Sequence, residues 1–163
     1  MKRQLTATTY ILDKNRVLLI YHKKLKKWLP PGGHLESHEL PSEGAIREAK
    51  EETGLDIELI PQENVWINMR PNGGSIERPY LCLLEHIPEI KGEAAHQHID
   101  LIYVGKPVGG EVKHNKHETE DIRWFSLKML SQLEKEVEIY EETYLILEHL
   151  LSNRHAPSDR ECK

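Results

Sequence analysis

Glu48, Glu51 and Glu52 stand at positions i, i+3 and i+4 of a 163-residue chain. On an α-helix those positions share one face and stack within a turn. Like charges so placed repel by roughly a few tenths of a kcal/mol per pair. A divalent cation reverses the sign of that interaction. Hard cations take oxygen ligands, and magnesium commonly combines a few carboxylates with water and substrate phosphate. The triplet therefore points to magnesium or manganese and to a phosphate-bearing substrate. Taken alone, it also reads as a solvated acidic helix face.

The flanking residues supply the elements that must position it. Pro30, Pro31, Gly32 and Gly33 are a breaker cluster that ends an apolar run and lets backbone pass close to a ligand. Pro41 suits a first helical turn and Gly54 the position just past a helix end, which predicts a helix over 41–53. On it Ile46, Ala49 and Thr53 share a second face. Upstream, residues 5–12 and 16–22 are rich in β-branched and aromatic types and flank Asp13-Lys14-Asn15, a hairpin signal. Lys23, Lys24, Lys26 and Lys27 crowd the next turn. One or two of them, Lys27 in particular, are candidates for neutralising phosphate oxygens.

Downstream, Ile57–Ile60, Val65–Met69 and Tyr80–Glu85 read as strands, with Arg70–Ser75 as a loop bracketed by Arg70 and Arg78. In Ala95–Val104, strand alternation places His96, His98 and Asp100 on one side and Gln97, Ile99, Leu101 and Tyr103 on the other. The polar trio fits substrate contact through hydrogen bonds and a titratable imidazole. It also fits a two-histidine, one-carboxylate metal triad, or a polar strand end without chemistry. Residues 105–119 read as a long polar loop holding His114 and His117. From Leu127 the spacing of Leu130, Leu133, Val137, Tyr140, Tyr144, Leu147, Leu150 and Leu151 predicts helix with a core-facing stripe, extending to a homodimer surface. Trp66, Met69, Tyr80 and Tyr103 serve equally as base-pocket or core residues, and Asn153–Lys163 as a disordered polar tail.

With 38% hydrophobic residues the chain is expected to fold as one domain over 1–152. A formal net charge of −5 argues against a generalised nucleic-acid or anionic-membrane surface. Two cysteines, Cys82 in a strand-like core run and Cys162 in the tail, make no disulfide framework and suit a reducing compartment. No apolar stretch approaches the roughly 20 residues of a membrane span. The first residues run into Thr/Tyr alternation instead of a signal-like apolar region, so a cytoplasmic location is expected.

Gly33, five residues, Glu39, seven residues, then Arg47-Glu48-Ala49-Lys50-Glu51-Glu52-Thr53-Gly54-Leu55 resembles the Nudix box. Given this composition, seven fixed positions fall into register by chance with a probability on the order of 10⁻⁵. Ala49 departs from the larger aliphatic usual there, yet still packs. The likeness extends to Leu29-Pro30-Pro31-Gly32-Gly33 and to Ile122-Arg123-Trp124-Phe125-Ser126-Leu127.

The resemblance implies an α/β fold, an α/β/α sandwich around a mixed sheet, with the box as loop–helix–loop at one end. It implies a hydrolase in which water attacks phosphorus to cleave the phosphoanhydride of a nucleoside diphosphate linked to another moiety. Glu48, Glu51 and Glu52, with a backbone oxygen of Gly32 or Gly33, are the expected metal cradle, and Glu48 doubles as base. Arg47 and Glu39 are expected to pair and hold the loop on the helix, with Gly32 and Gly54 shaping its ends. Glu118 and Glu120 are candidates for one further carboxylate. Two other outcomes exist within such folds. A non-catalytic nucleotide-binding regulator would usually lack box carboxylates, and an isoprenoid diphosphate isomerase would want a cysteine at the site.

Overall fold

The computed structural model describes residues 1–89 and 92–152, so the expected tail lies outside the described residues. Strands β1 (Arg3–Asp13) and β2 (Arg16–His22) form the predicted hairpin. Lys14 and Asn15 at its tip both take positive φ, 47° and 62°, the conformation a two-residue hairpin turn requires. The chain continues through β3 (Lys27–Leu29), β4 (Gly32–His34), α1 (Pro41–Thr53) and β5 (Leu55–Leu59). It ends with β6 (Leu81–Ile87), β7 (His96–Gly110), β8 (Thr119–Ser126), α2 (Leu127–Leu130) and α3 (Glu141–Ser152).

The strands make one mixed sheet with the spine β3-β2-β1-β7-β5; β4 lies beside β1, β6 beside β7 and β8 beside β2. β1 and β7 run parallel, from Arg3 opposite Gln97 to Ile11 opposite Gly105. The other named pairings are antiparallel. Alternation along β1 divides the core in two. Ala7 and Ile11 pack with Ala45 and Ala49 of α1. Tyr10 packs on the other side, with Leu130, Tyr144, Leu147 and Leu150 of α2 and α3. The result is the expected α/β architecture, a mixed sheet between helices.

Several elements differ from their sequence reading. Val65–Met69 is not a sheet strand: Val65 is 76% and Met69 72% exposed. The segment folds back on 73–76 instead, through Ser75 N–H to Ile67 O (2.9 Å) and a turn between Arg70 and Gly73. Its apolar residues satisfy a strand pattern, but no sheet edge takes them. Trp66 is likewise exposed, whereas Tyr103 is buried. β7 runs on through Pro107 to Gly110, where a loop was expected. Pro107 lies opposite Ile57 at a register shift in β5, so its missing N–H interrupts an already irregular ladder. Cys82 sits in the expected strand but faces outward. The C-terminal helix is broken after Leu130. Glu136 turns at φ 64°, Val137 is 55% exposed, and Ile139 is the residue that plugs the core.

Leu147 is fully buried between α3 and the sheet. Leu147→Ala should lower the unfolding free energy by about 3 kcal/mol, measured by urea denaturation at unchanged slope. A loss under about 1 kcal/mol would mean that α3 is not packed as described.

Candidate active site

α1 begins and ends where the sequence predicted. Pro41 occupies its first turn, and Leu40 N–H donates to Glu43 Oε2 (2.7 Å) ahead of it. Gly54 closes it in a left-handed conformation at φ 76°. A Cβ there would run into the Glu111 carbonyl oxygen, so the helix end is fitted to the segment that follows β7. Lys113 N–H to Thr53 O (2.8 Å) and Asn115 N–H to Glu52 O (3.3 Å) tie that segment to the last turn.

The polar face of α1 lies against β4. Gly32 N–H donates to Glu52 Oε2 at 2.8 Å. A Cβ on Gly33 would stand 2.5 Å from Glu48 Oε1, so a side chain there would displace the Glu48 carboxylate from its present position. Arg47 spans the loop–helix junction. Its Nε and Nη2 donate to Glu39 Oε2 (3.0 Å) and Oε1 (2.7 Å), a two-pronged bond. Nη2 also reaches His34 O (3.2 Å), while Nη1 donates to Glu48 Oε1 (2.8 Å) and Glu51 Oε2 (3.3 Å). The hydrogen bonds from Arg47 hold Glu39 far below the ordinary carboxylate range, at about 2.

Burial acts in the opposite direction on the other two carboxylates. Glu52 is 4% exposed and is pushed up to about 8 by desolvation, opposed by the Gly32 N–H and assisted by Glu48, Glu118 and Glu51. Glu48 is raised too, desolvation outweighing the bond from Arg47. Both face a cleft of about 470 Å³ that Gly32, Gly33, Glu118 and His34 also line. Among the described residues no three histidine, cysteine, aspartate or glutamate side chains already converge as a ready metal cluster. The donors facing the cleft nonetheless fit a hard divalent cation, being oxygen-only, like-charged and desolvated beside a glycine backbone.

The other candidates divide. Glu51 is bonded to Arg47 and points toward solvent instead of lining the cleft. Glu118 lines it, whereas Glu120 pairs with Lys26 away from it. Lys27 is also drawn off: its Nζ donates to Glu136 O (2.6 Å) and Val137 O (3.1 Å) and lies over Tyr140. The lysines at the cleft are Lys23 and Lys24, joined by His22 and His117. Their signal in the sequence was the lysine turn itself. Lys27 does not line the cleft in this structure, its ammonium being held by the Glu136 and Val137 carbonyls.

His96, His98 and Asp100 share a side of β7, as alternation predicted, and they neighbour the cleft through His34. Thr6 is opposite both His34 and Asp100, which places these two on one face of the sheet. The His34 and His98 rings meet edge-on at 4.9 Å. Asp100 Oδ1 accepts from the hydroxyls of Thr6 (2.9 Å) and Thr8 (3.1 Å), so it is engaged away from the histidines. His96 Nε2 and His98 Nε2 lie 3.2 Å apart. Burial lowers the pKa of His98, helped by His34 and His96, and raises that of Asp100 against its threonine bonds.

A family model for the NUDIX domain matches residues 2–147. The chain is 30% identical over 126 residues to a protein of Lactococcus lactis named a probable DHNTP pyrophosphohydrolase, covering 77% of this chain and 64% of that relative's length. Among solved structures, a NUDIX-family hydrolase from Clostridium perfringens superposes with a TM-score of 0.75 at 30% identity, covering 93% of this chain and 98% of the other. An ADP-ribose pyrophosphatase from Streptococcus suis shares the fold at 20% identity, with a TM-score of 0.57 and coverage of 93% and 94%. A box complete at residues 33–55, set on this sheet and matched over nearly the whole chain, means that the chain belongs to the Nudix family.

Proposed function

We propose that the chain is a divalent-cation-dependent pyrophosphohydrolase that cleaves the phosphoanhydride of a nucleoside diphosphate derivative. The observation that carries this is the pair Glu48 and Glu52, desolvated on one cleft beside a glycine strand that approaches them without side chains. The 30%-identical relative named as a pyrophosphohydrolase supports the reaction class.

Glu48 and Glu52, with a Gly32 or Gly33 carbonyl and Glu118, would hold magnesium or manganese. Bound there, the cation would offset the charge that gathers on the phosphate oxygens during attack. The residues of the chain do the rest. Glu48 keeps Oε1 on Arg47 and has Oε2 left to orient a water and take its proton. Arg47 acts through position: by clamping Glu39 and the His34 carbonyl it fixes the loop on the helix. Glu51, bonded to Arg47 and electrostatically coupled to Glu48 and Glu52, would be a third carboxylate offered to the cation. His98, reached past His34, contacts the part of the substrate beyond the diphosphate, with His96 fixing His98 and the buried Asp100 tying β7 to Thr6 and Thr8 of β1 instead of meeting substrate.

Glu52→Gln or Glu48→Gln should lower turnover by at least roughly 10²-fold in a phosphate-release assay that EDTA silences. Full activity in either variant sinks the assignment. His98→Ala should change KM or substrate preference while the metal requirement stays. Loss of that requirement would point to a histidine-held centre instead.

Glu52 also gives a pH test that needs no substrate. Its folded pKa, about 8, lies above the ordinary 4.5. Its contribution to stability is therefore fully present below about 4.5 and is lost as the pH rises toward 8. Without divalent cations Tm should fall across that window, and added magnesium should raise Tm more at about pH 8 than at about pH 6. Glu52→Gln should flatten both trends. An equal magnesium shift at both pH values would count against Glu52 as a ligand.

A further inference from the structure

The start of β7 holds an arrangement that hydrolysis at the cleft leaves unexplained. The Nε2 atoms of His96 and His98 face each other at 3.2 Å. His96 Nδ1 lies 3.0 Å from the Ala94 carbonyl oxygen, which can only accept, so the neutral ring carries its proton there and turns a lone pair on Nε2 toward His98. His98 Nδ1 in turn faces Glu85 Oε2 at 3.5 Å, from the residue directly opposite on β6. A proton on that nitrogen suits the carboxylate, and it leaves His98 Nε2 with a lone pair as well. A proton or a metal ion must then lie between the two rings.

The surroundings favour a metal ion. Zinc–nitrogen bonds of about 2.0–2.1 Å to both Nε2 atoms would enclose an angle of about 100° at this separation, near the tetrahedral value. The partners behind the rings, a backbone carbonyl and a carboxylate, are those that orient metal-held histidines. A third donor is at hand. Glu93 Oε1 lies 3.8 Å from His96 Nε2 on an exposed side chain, and its charge also acts on His98. That is about 0.5 Å beyond the roughly 3.3 Å that a tetrahedral zinc sets between donors, so a small swing of Glu93 completes the set. Asp100, the carboxylate that strand alternation offered, is turned to Thr6 and Thr8 instead.

A fourth position also has a partner. Gln4 of β1 stands opposite His98 on the same face of the sheet, and its Oε1 is buried without a hydrogen-bond partner. Such an acceptor fits a metal-bound water, which donates. His96, His98 and Glu93 do not line the cleft, whose oxygen donors suit a hard cation. Imidazole nitrogens select zinc, cobalt or nickel over magnesium.

We propose that His96, His98 and Glu93 form a second metal site, selective for zinc or a similar late transition cation and separate from the magnesium site of the cleft. Its existence does not depend on the hydrolase reading. Its occupant would engage His98 and so withhold from substrate the ring assigned to it above.

The full chain, stripped of metal and then held in excess magnesium, is titrated with zinc by calorimetry and with cobalt(II) by visible absorption. We expect one tightly held zinc per chain, with a micromolar Kd or lower, and the intense cobalt bands of tetrahedral coordination. His96→Ala and His98→Ala should each weaken zinc binding at least about 100-fold and Glu93→Gln at least about tenfold, whereas Glu52→Gln should leave the Kd within about twofold. Zinc binding only in the millimolar range overturns the site, as does a Kd unmoved by His98→Ala or Glu93→Gln, or one lost in Glu52→Gln. Should a histidine variant fail to fold, Glu93→Gln, a change on an exposed side chain, still decides. No turnover is read, so failure here leaves the hydrolase reading standing.

Discussion

Keeping Glu48 and Glu52 out of water, side by side, is the constraint from which the rest of the site follows. Two desolvated carboxylates at helical spacing oppose each other and the folded state. Glu48 is answered by Arg47, Glu52 by a single backbone N–H from Gly32. Both answers require that β4 lie close against α1, and a side chain on Gly33 would push the Glu48 carboxylate out of this arrangement. Glu39 completes the arrangement by fixing the guanidinium, since a free arginine would neutralise Glu48 without holding the loop. The box is thus one mechanical unit in which glycines, arginine and carboxylates each set the position of the next.

What the sequence revealed about this unit was whatever depends on local backbone. Pro41 and Gly54 bound α1 because a ring without an N–H and a left-handed terminus are preferences that hold in any surroundings. The carboxylate face was legible for the same reason. Which carboxylates are buried was not, because it depends on how α1 rolls against Ala7 and Ile11. That packing turns Glu52 inward and leaves Glu51 with Arg47 and solvent. The lysine turn was visible as a run of charge, but that Lys23 and Lys24 line the cleft while Lys27 is held by the Glu136 and Val137 carbonyls depends on the tertiary packing. Likewise the alternation of His96, His98 and Asp100 was readable, while their neighbour His34 emerges only from the register of β4 on β1.

The misread elements share a cause. Val65–Met69 and the stretch after Leu130 carry apolar patterns that match a strand and a helix, but pattern alone does not supply a partner. The first finds no sheet edge and folds on itself; the second is interrupted at Glu136, so Ile139 fills the core in place of Val137. Pro107 errs the other way. A residue that ordinarily ends a strand is accommodated where β5 already slips register.

The parallel pairing of β1 with β7 has a consequence for how the protein comes into being. Residues 3–11 join residues 97–105, so β1 leaves the ribosome long before the strand that covers this edge of it. Parallel contacts so distant in sequence close slowly, because loop entropy must be overcome before they are rewarded. Until then the hairpin, the glycine strand and α1 can assemble among themselves, but Thr6 and Thr8 lack Asp100, and His34 lacks His98. During synthesis the Arg47–Glu39–Glu48 cluster and its glycine strand can form early, whereas His98, Asp100 and then Glu118 join only as the later segments arrive.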